Sequence, residues 1–119
     1  MIKGVGVDLV EMKRFQDKSD LDDFLHQILV QKEYDETKNH ARKYLIGARL
    51  FAIKEAIMKA LGCGLNAGSY WHDIETTNNS TPDLSGYLSR LADESNISKI
   101  HLSHSCSKRF SVAVVILEQ

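Results

Sequence analysis

The chain has 119 residues, with 15 Lys and Arg against 16 Asp and Glu, a formal net charge of −1. That length suits one domain over residues 1–119, and its ordinary hydrophobic content can build a core without disulfide staples. The balanced charge excludes a protein whose work is coating nucleic acid, which needs a basic excess. No apolar run approaches the ~20 residues of a membrane span. The two cysteines, Cys63 and Cys106, are too few for a secreted disulfide scaffold. The opening MIKGVGVDLV carries no secretory-leader pattern, so a cytoplasmic protein is expected.

Residues 2–10 are β-branched and glycine-rich and predict a strand. Over residues 12–29, the apolar positions Phe15, Leu21, Phe24, Leu25, Ile28 and Leu29 recur near helical period, with Ser19 or Asp20 as candidate caps. Residues 31–41 are polar and predict a short helix or a loop. The strongest helix covers residues 42–61, where Ile46, Ile53, Ile57 and Leu61 form an apolar stripe. Gly62-Cys63-Gly64 stops it, as a glycine just past a helix end should. Residues 69–77 predict a strand, the polar run around the single proline, Pro82, a loop, and residues 84–93 a short amphipathic helix. Residues 100–105 and 110–117 predict a hairpin. The fold class is α+β with an antiparallel component.

Three groups of residues are not explained by local structure. Asp8 stands inside a predicted strand, where Asp is disfavoured. It either caps a turn at the strand end or is paired, hydrogen-bonded or metal-bound. By period 2 it shares a face with Gly4 and Gly6, which leaves space for something to approach. On the strong helix, Glu55 and Lys59 have the spacing of a surface ion pair. Lys54 and Lys59 point in different directions and together reach an extended anion. Near the C-terminus, His101, Ser103 and Ser105 alternate onto one face of a strand and His104 onto the other. Lone histidines of this kind are either structural or catalytic. A strand Asp and a helix Glu can together offer oxygen ligands to one Mg²⁺ ion, with lysines nearby for phosphate.

Gly4-Val5-Gly6-Val7-Asp8-Leu9-Val10-Glu11 resembles the G-[IV]-G-x-D-[IL]-x-E opening of holo-acyl-carrier-protein synthases. Phe51-Ala52-Ile53-Lys54-Glu55-Ala56-Ile57-Met58-Lys59-Ala60-Leu61-Gly62 resembles their F-A-x-K-E-A-x-x-K-A-[LFM]-G signature. Tyr70 to Glu75 is similar to the aromatic-x-D-I-E segment that follows, and His101-Leu102-Ser103 to the closing H-V-S strand. The resemblance covers nearly the whole chain in order. It implies the 4′-phosphopantetheinyl transferase fold, a small antiparallel sheet packed with a long central helix and shorter helices. The implied reaction moves 4′-phosphopantetheine from coenzyme A to a serine of an apo acyl carrier protein and releases adenosine 3′,5′-bisphosphate.

By the same resemblance, Asp8 and Glu55 hold Mg²⁺ against the coenzyme, and Asp8, Glu55 and Lys59 are the catalytic group. Glu55, or a water, takes the serine proton. Lys54, Lys59, Gly62, Gly64, His101 and Ser103 fall at positions that bind the coenzyme, and Arg14 at one that meets the carrier protein. Members of this length are homotrimers with sites between subunits, so a homotrimer is expected. The chain departs from the pattern in three places. Leu50 replaces a common Arg, with Arg49 turned about 100° away on a helix. Ser80-Thr81-Pro82 replaces a G-[KR]-P turn, and Cys106 replaces a His or Asp. These departures raise an alternative, a homologue that binds coenzyme A or a carrier protein without turnover.

Overall fold

A computed structural model describes residues 1–63, 70–76 and 81–119. Strand β1 (Ile2–Glu11) runs straight into helix α1 (Met12–Gln16), followed by α2 (Leu21–Ile28), α3 (Gln31–Thr37) and the long α4 (Lys43–Ala60). A 3₁₀ turn at Trp71–Asp73 leads to β2 (Ile74–Glu75), then β3 (Asp83–Leu84), α5 (Gly86–Glu94), β4 (Lys99–Cys106) and β5 (Phe110–Glu118).

The C-terminal hairpin and the first strand form one antiparallel sheet in the order β1-β5-β4. Its register pairs Asp8 with Ala113 and Val7 with Val114, and His101 with Ile116. A small antiparallel pair, β2-β3, stands apart. The inner sheet face carries Val10, Ala113, Val115 and Leu117, all buried, and α4 covers it with Ala52, Ile53, Ala56 and Ile57. Alternation of period 2 then forces the odd-numbered residues of β1 outward. Val5, Val7 and Leu9 are 56%, 51% and 62% exposed, an apolar row on the outer face.

The α+β expectation and most element boundaries match this arrangement. Two expectations need correction. The helix foreseen over residues 12–29 is two helices, because α1 closes at Asp17, whose N–H bonds the Lys13 carbonyl, before α2 starts after Asp20. Asp20 flanks α2, but its side chain makes no capping bond and pairs with Lys18 instead. In the segment foreseen as a strand over residues 69–77, whose two end positions lie outside the described residues, only Ile74–Glu75 of the described residues pairs as one. The Trp71 carbonyl is taken by the Lys54 ammonium at 3.0 Å, so the chain bends before reaching the ladder.

The end of α4 behaves as foreseen. Gly62 has φ +80°, its N–H bonds the Lys59 carbonyl, and the Cys63 N–H bonds the Met58 carbonyl. This is the two-bond closure that a left-handed residue makes after a helix. Among the described residues, no helix is long and apolar enough to cross a membrane.

Candidate active site

The site is built on the seam between β1 and α4. Gly4 and Gly6 face the helix, and a Cβ on Gly6 would run into the Ala56 carbonyl oxygen, one on Gly4 into that of Ala60. The missing side chains let strand and helix backbones close to contact. Two residues along β1 on the same face, Asp8 therefore reaches α4. Its Oδ1 accepts from Lys59 Nζ at 2.8 Å, and a second ammonium proton goes to the Val7 carbonyl at 3.2 Å. Lys59 thus pairs across elements with Asp8. Glu55 lies one turn earlier on that helix face.

Two carboxylates of this seam carry unused acceptor capacity. Asp8 Oδ2 is buried and has no hydrogen-bond partner among the described residues. Glu55 is buried, and its Oε1 accepts from the Trp71 indole Nε1 at 3.0 Å. Among the described residues, no second bond to Glu55 is made, and no cluster of three or more His, Cys, Asp or Glu side chains forms. Two oxygen donors with an unpartnered buried oxygen fit a hard divalent cation that keeps waters and meets substrate phosphates.

Lys54 stands elsewhere. It is 0% exposed, and its three ammonium protons go to Glu33 Oε1 at 2.6 Å, the Ile28 carbonyl at 2.8 Å and the Trp71 carbonyl at 3.0 Å. An ammonium has three donors, so none is left for a coenzyme phosphate in this arrangement. Burial pushes its pKa down, and the Glu33 charge opposes that shift. Glu33 is saturated in turn. It also accepts from the Val30 N–H at 2.9 Å and from the Thr76 N–H and hydroxyl at 2.8 and 3.0 Å. Sequence reasoning missed Glu33, Trp71 and Thr76. Glu33 lies in a polar stretch with no periodic signal, and Trp71, though the lone Trp and the aromatic of the aromatic-x-D-I-E segment, carries no mark of a partner.

Arg14 projects from α1 with its guanidinium 5.5 Å from the centre of the Phe51 ring, one helical turn before Glu55. It therefore stands at the rim of the seam. Among the described residues, Gly62 has nothing within 4 Å of where a Cβ would be, which leaves its backbone open to approach on that side. Gly64 lies outside the described residues.

His101 and Ser103 are exposed on the outer face of β4, with β5 between them and β1. One chain does not bring them to Asp8 and Glu55, which face the other side. His101 contacts Glu118 Oε1 at 3.2 Å and holds that carboxyl below its ordinary range. Cys106 is exposed, whereas Cys63 is buried, and burial pushes its thiol pKa up.

A cavity of about 810 Å³ opens between α3, the first half of α4 and β4. None of Asp8, Glu55 or Lys59 borders it. Leu50 and Thr81, two of the departures from the family pattern, both do, and so does Arg49. Arg49 and Leu50, one helical step apart, thus line the same cavity.

Comparison with known proteins agrees with this geometry. The model of the 4′-phosphopantetheinyl transferase superfamily matches residues 4–115. The chain belongs to that superfamily. It is 37% identical to the holo-[acyl-carrier-protein] synthase of Geobacter metallireducens over all of this chain and 99% of that one. The crystal structure of a holo-(acyl-carrier-protein) synthase from Bacillus anthracis in complex with CoA (3′,5′-ADP) superposes with a TM-score of 0.78 at 33% identity, covering 98% of this chain and 96% of that one. The synthase of Neisseria meningitidis reaches 0.83 at 28% identity over the full length of both. Within the superfamily, the chain thus aligns end to end with holo-[acyl-carrier-protein] synthases.

Proposed function

We propose that this chain is a holo-[acyl-carrier-protein] synthase, working in the cytoplasm as a single domain of 119 residues. It transfers 4′-phosphopantetheine from coenzyme A to a serine hydroxyl of an apo acyl carrier protein. The serine oxygen bonds to the pantetheine-side phosphorus, and the bond from that phosphorus to the bridging oxygen breaks. Adenosine 3′,5′-bisphosphate leaves, and Glu55 accepts the serine proton.

The observation that carries this reading is the Asp8 carboxylate. One oxygen is tied to Lys59, and the other is buried without a partner among the described residues, on the seam that also holds Glu55. An unsatisfied buried acceptor costs about 1–3 kcal/mol. A site that receives a cation explains why the chain keeps one. Asp8 and Glu55 are assigned to hold Mg²⁺, which when bound neutralises pyrophosphate charge and polarises the phosphorus. Lys59 spends two protons on Asp8 and Val7 and has the third for a phosphate oxygen. Gly62 lets the coenzyme come close to backbone, and Arg14 at the rim meets the acidic carrier.

His101 and Ser103 serve a neighbour's coenzyme site in a homotrimer. Support comes from the exposed row Val5, Val7 and Leu9 on the same outer face, which gains from burial against another subunit.

Incubation with coenzyme A, Mg²⁺ and an apo carrier protein tests the activity by the carrier's mass. A gain of one phosphopantetheine group supports it. No gain on any cognate carrier leaves the alternative of a homologue that binds without turnover. That alternative has no use for the unpartnered Asp8 oxygen. Sedimentation of the active protein as a monomer would refute the trimer.

A further inference from the structure

We propose that Trp71 is the positioning residue of Glu55, and that Lys54 acts on the site through Trp71; this rests on Glu55 being the acid–base or cation-holding group proposed above. Lys54 and Glu55 are consecutive on α4 and point about 100° apart. Each nevertheless bonds to the same residue of a distant segment. Lys54 Nζ donates to the Trp71 carbonyl at 3.0 Å, and the Trp71 indole Nε1 donates to Glu55 Oε1 at 3.0 Å. Trp71 is thus gripped at its backbone by one residue and grips the next through its ring.

The grip is rigid. Lys54 is fully buried and fixed by Glu33 and the Ile28 carbonyl. The indole packs on Phe51 with ring centres 6.2 Å apart. A glutamate has three rotatable bonds, and a carboxylate with no fixed donor samples several orientations. The indole N–H engages Oε1, and among the described residues no donor takes Oε2. A purely structural aromatic needs no donor; phenylalanine would fill the same space. Holding a reacting group through such a partner is the usual way to fix its rotamer.

Two measurements test this. Trp71→Phe keeps the ring and removes the N–H. The expected result is a kcat lower by about tenfold or more, because misplaced reacting groups lose rate steeply, with the KM for coenzyme A and the thermal midpoint close to wild type. Wild-type kcat overturns the proposal, as does a rate loss that follows only a loss of folded protein.

The second measurement does not depend on that variant or on turnover. Trp71 is the only tryptophan, so the protein shows a single indole N–H signal in an ¹H–¹⁵N spectrum. Glu55→Gln replaces a charged acceptor by a neutral one and should move that signal; an unmoved signal overturns the proposal. If the wild type transfers nothing to any carrier while the signal still moves, the function has failed and the Trp71–Glu55 bond stands.

Discussion

Gly6 lies against the Ala56 carbonyl oxygen so closely that no side chain fits between them. This contact sets the distance from β1 to α4, and with it the reach of Asp8 across to Lys59. Gly6→Ala should push the strand off the helix. Overpacking against rigid backbone costs about 1–3 kcal/mol or more. A lower denaturation midpoint and loss of phosphopantetheine transfer are expected together, since the same shift parts Asp8 from Glu55. Unchanged stability and rate would mean that the seam has slack.

Asp8→Ala should separate activity from stability in the opposite way. The substitution loses an ion pair with a half-exposed Lys59, a term of about 0–1 kcal/mol. It also removes a buried oxygen that has no partner among the described residues. The thermal midpoint is expected to stay within a few degrees of wild type or to rise, while transfer measured by carrier mass is abolished. A variant that keeps wild-type turnover would remove Asp8 from the reaction.

Lys54→Met makes the contrasting case. Methionine fits the space but leaves the buried Glu33 without its cation. Breaking one side of a buried pair costs about 3–5 kcal/mol. Denaturant titration should show that loss. A stability equal to wild type would mean that the Val30 and Thr76 donors satisfy Glu33 alone.

The Tyr34–Asp22 bond between α3 and α2 should give the fold a small pH dependence. The Tyr34 hydroxyl lies 2.8 Å from both Asp22 oxygens and is the main cause holding that carboxyl below its ordinary value. A carboxyl with a lowered folded pKa adds stability above its unfolded value, near 3.9, and that stability is lost as pH falls through the folded value. Thermal midpoints of wild type and Tyr34→Phe should therefore differ near neutrality and converge in acid, below about pH 4. A gap that does not narrow would show that Tyr34 acts through packing, such as its stack on His26.

The sequence by itself determined what repeats locally. The β-branched, glycine-rich composition of residues 2–10, the apolar run of residues 110–117 and the helical period of residues 42–61 are all marks of local structure. They identified β1, β5 and α4 almost to the residue. The glycines at 4, 6 and 62 were informative for the same reason, since a close approach or a positive φ leaves a mark at one position. Asp8 was legible because a carboxylate inside a strand needs a partner, and Glu55 and Lys59 because their helix resembles the family signature.

Only the tertiary structure decided how these charges pair. Spacing joined Glu55 to Lys59, but the strand brings Asp8 to Lys59 and leaves Glu55 to Trp71. Spacing also offered Lys54 to a phosphate, whereas Glu33, Ile28 and Trp71 take all its protons. The bend at Trp71 in place of a strand has the same origin. A hydrogen bond between residues 16 or 17 positions apart depends on which backbones the fold has already brought into contact, and no pattern along the chain records that.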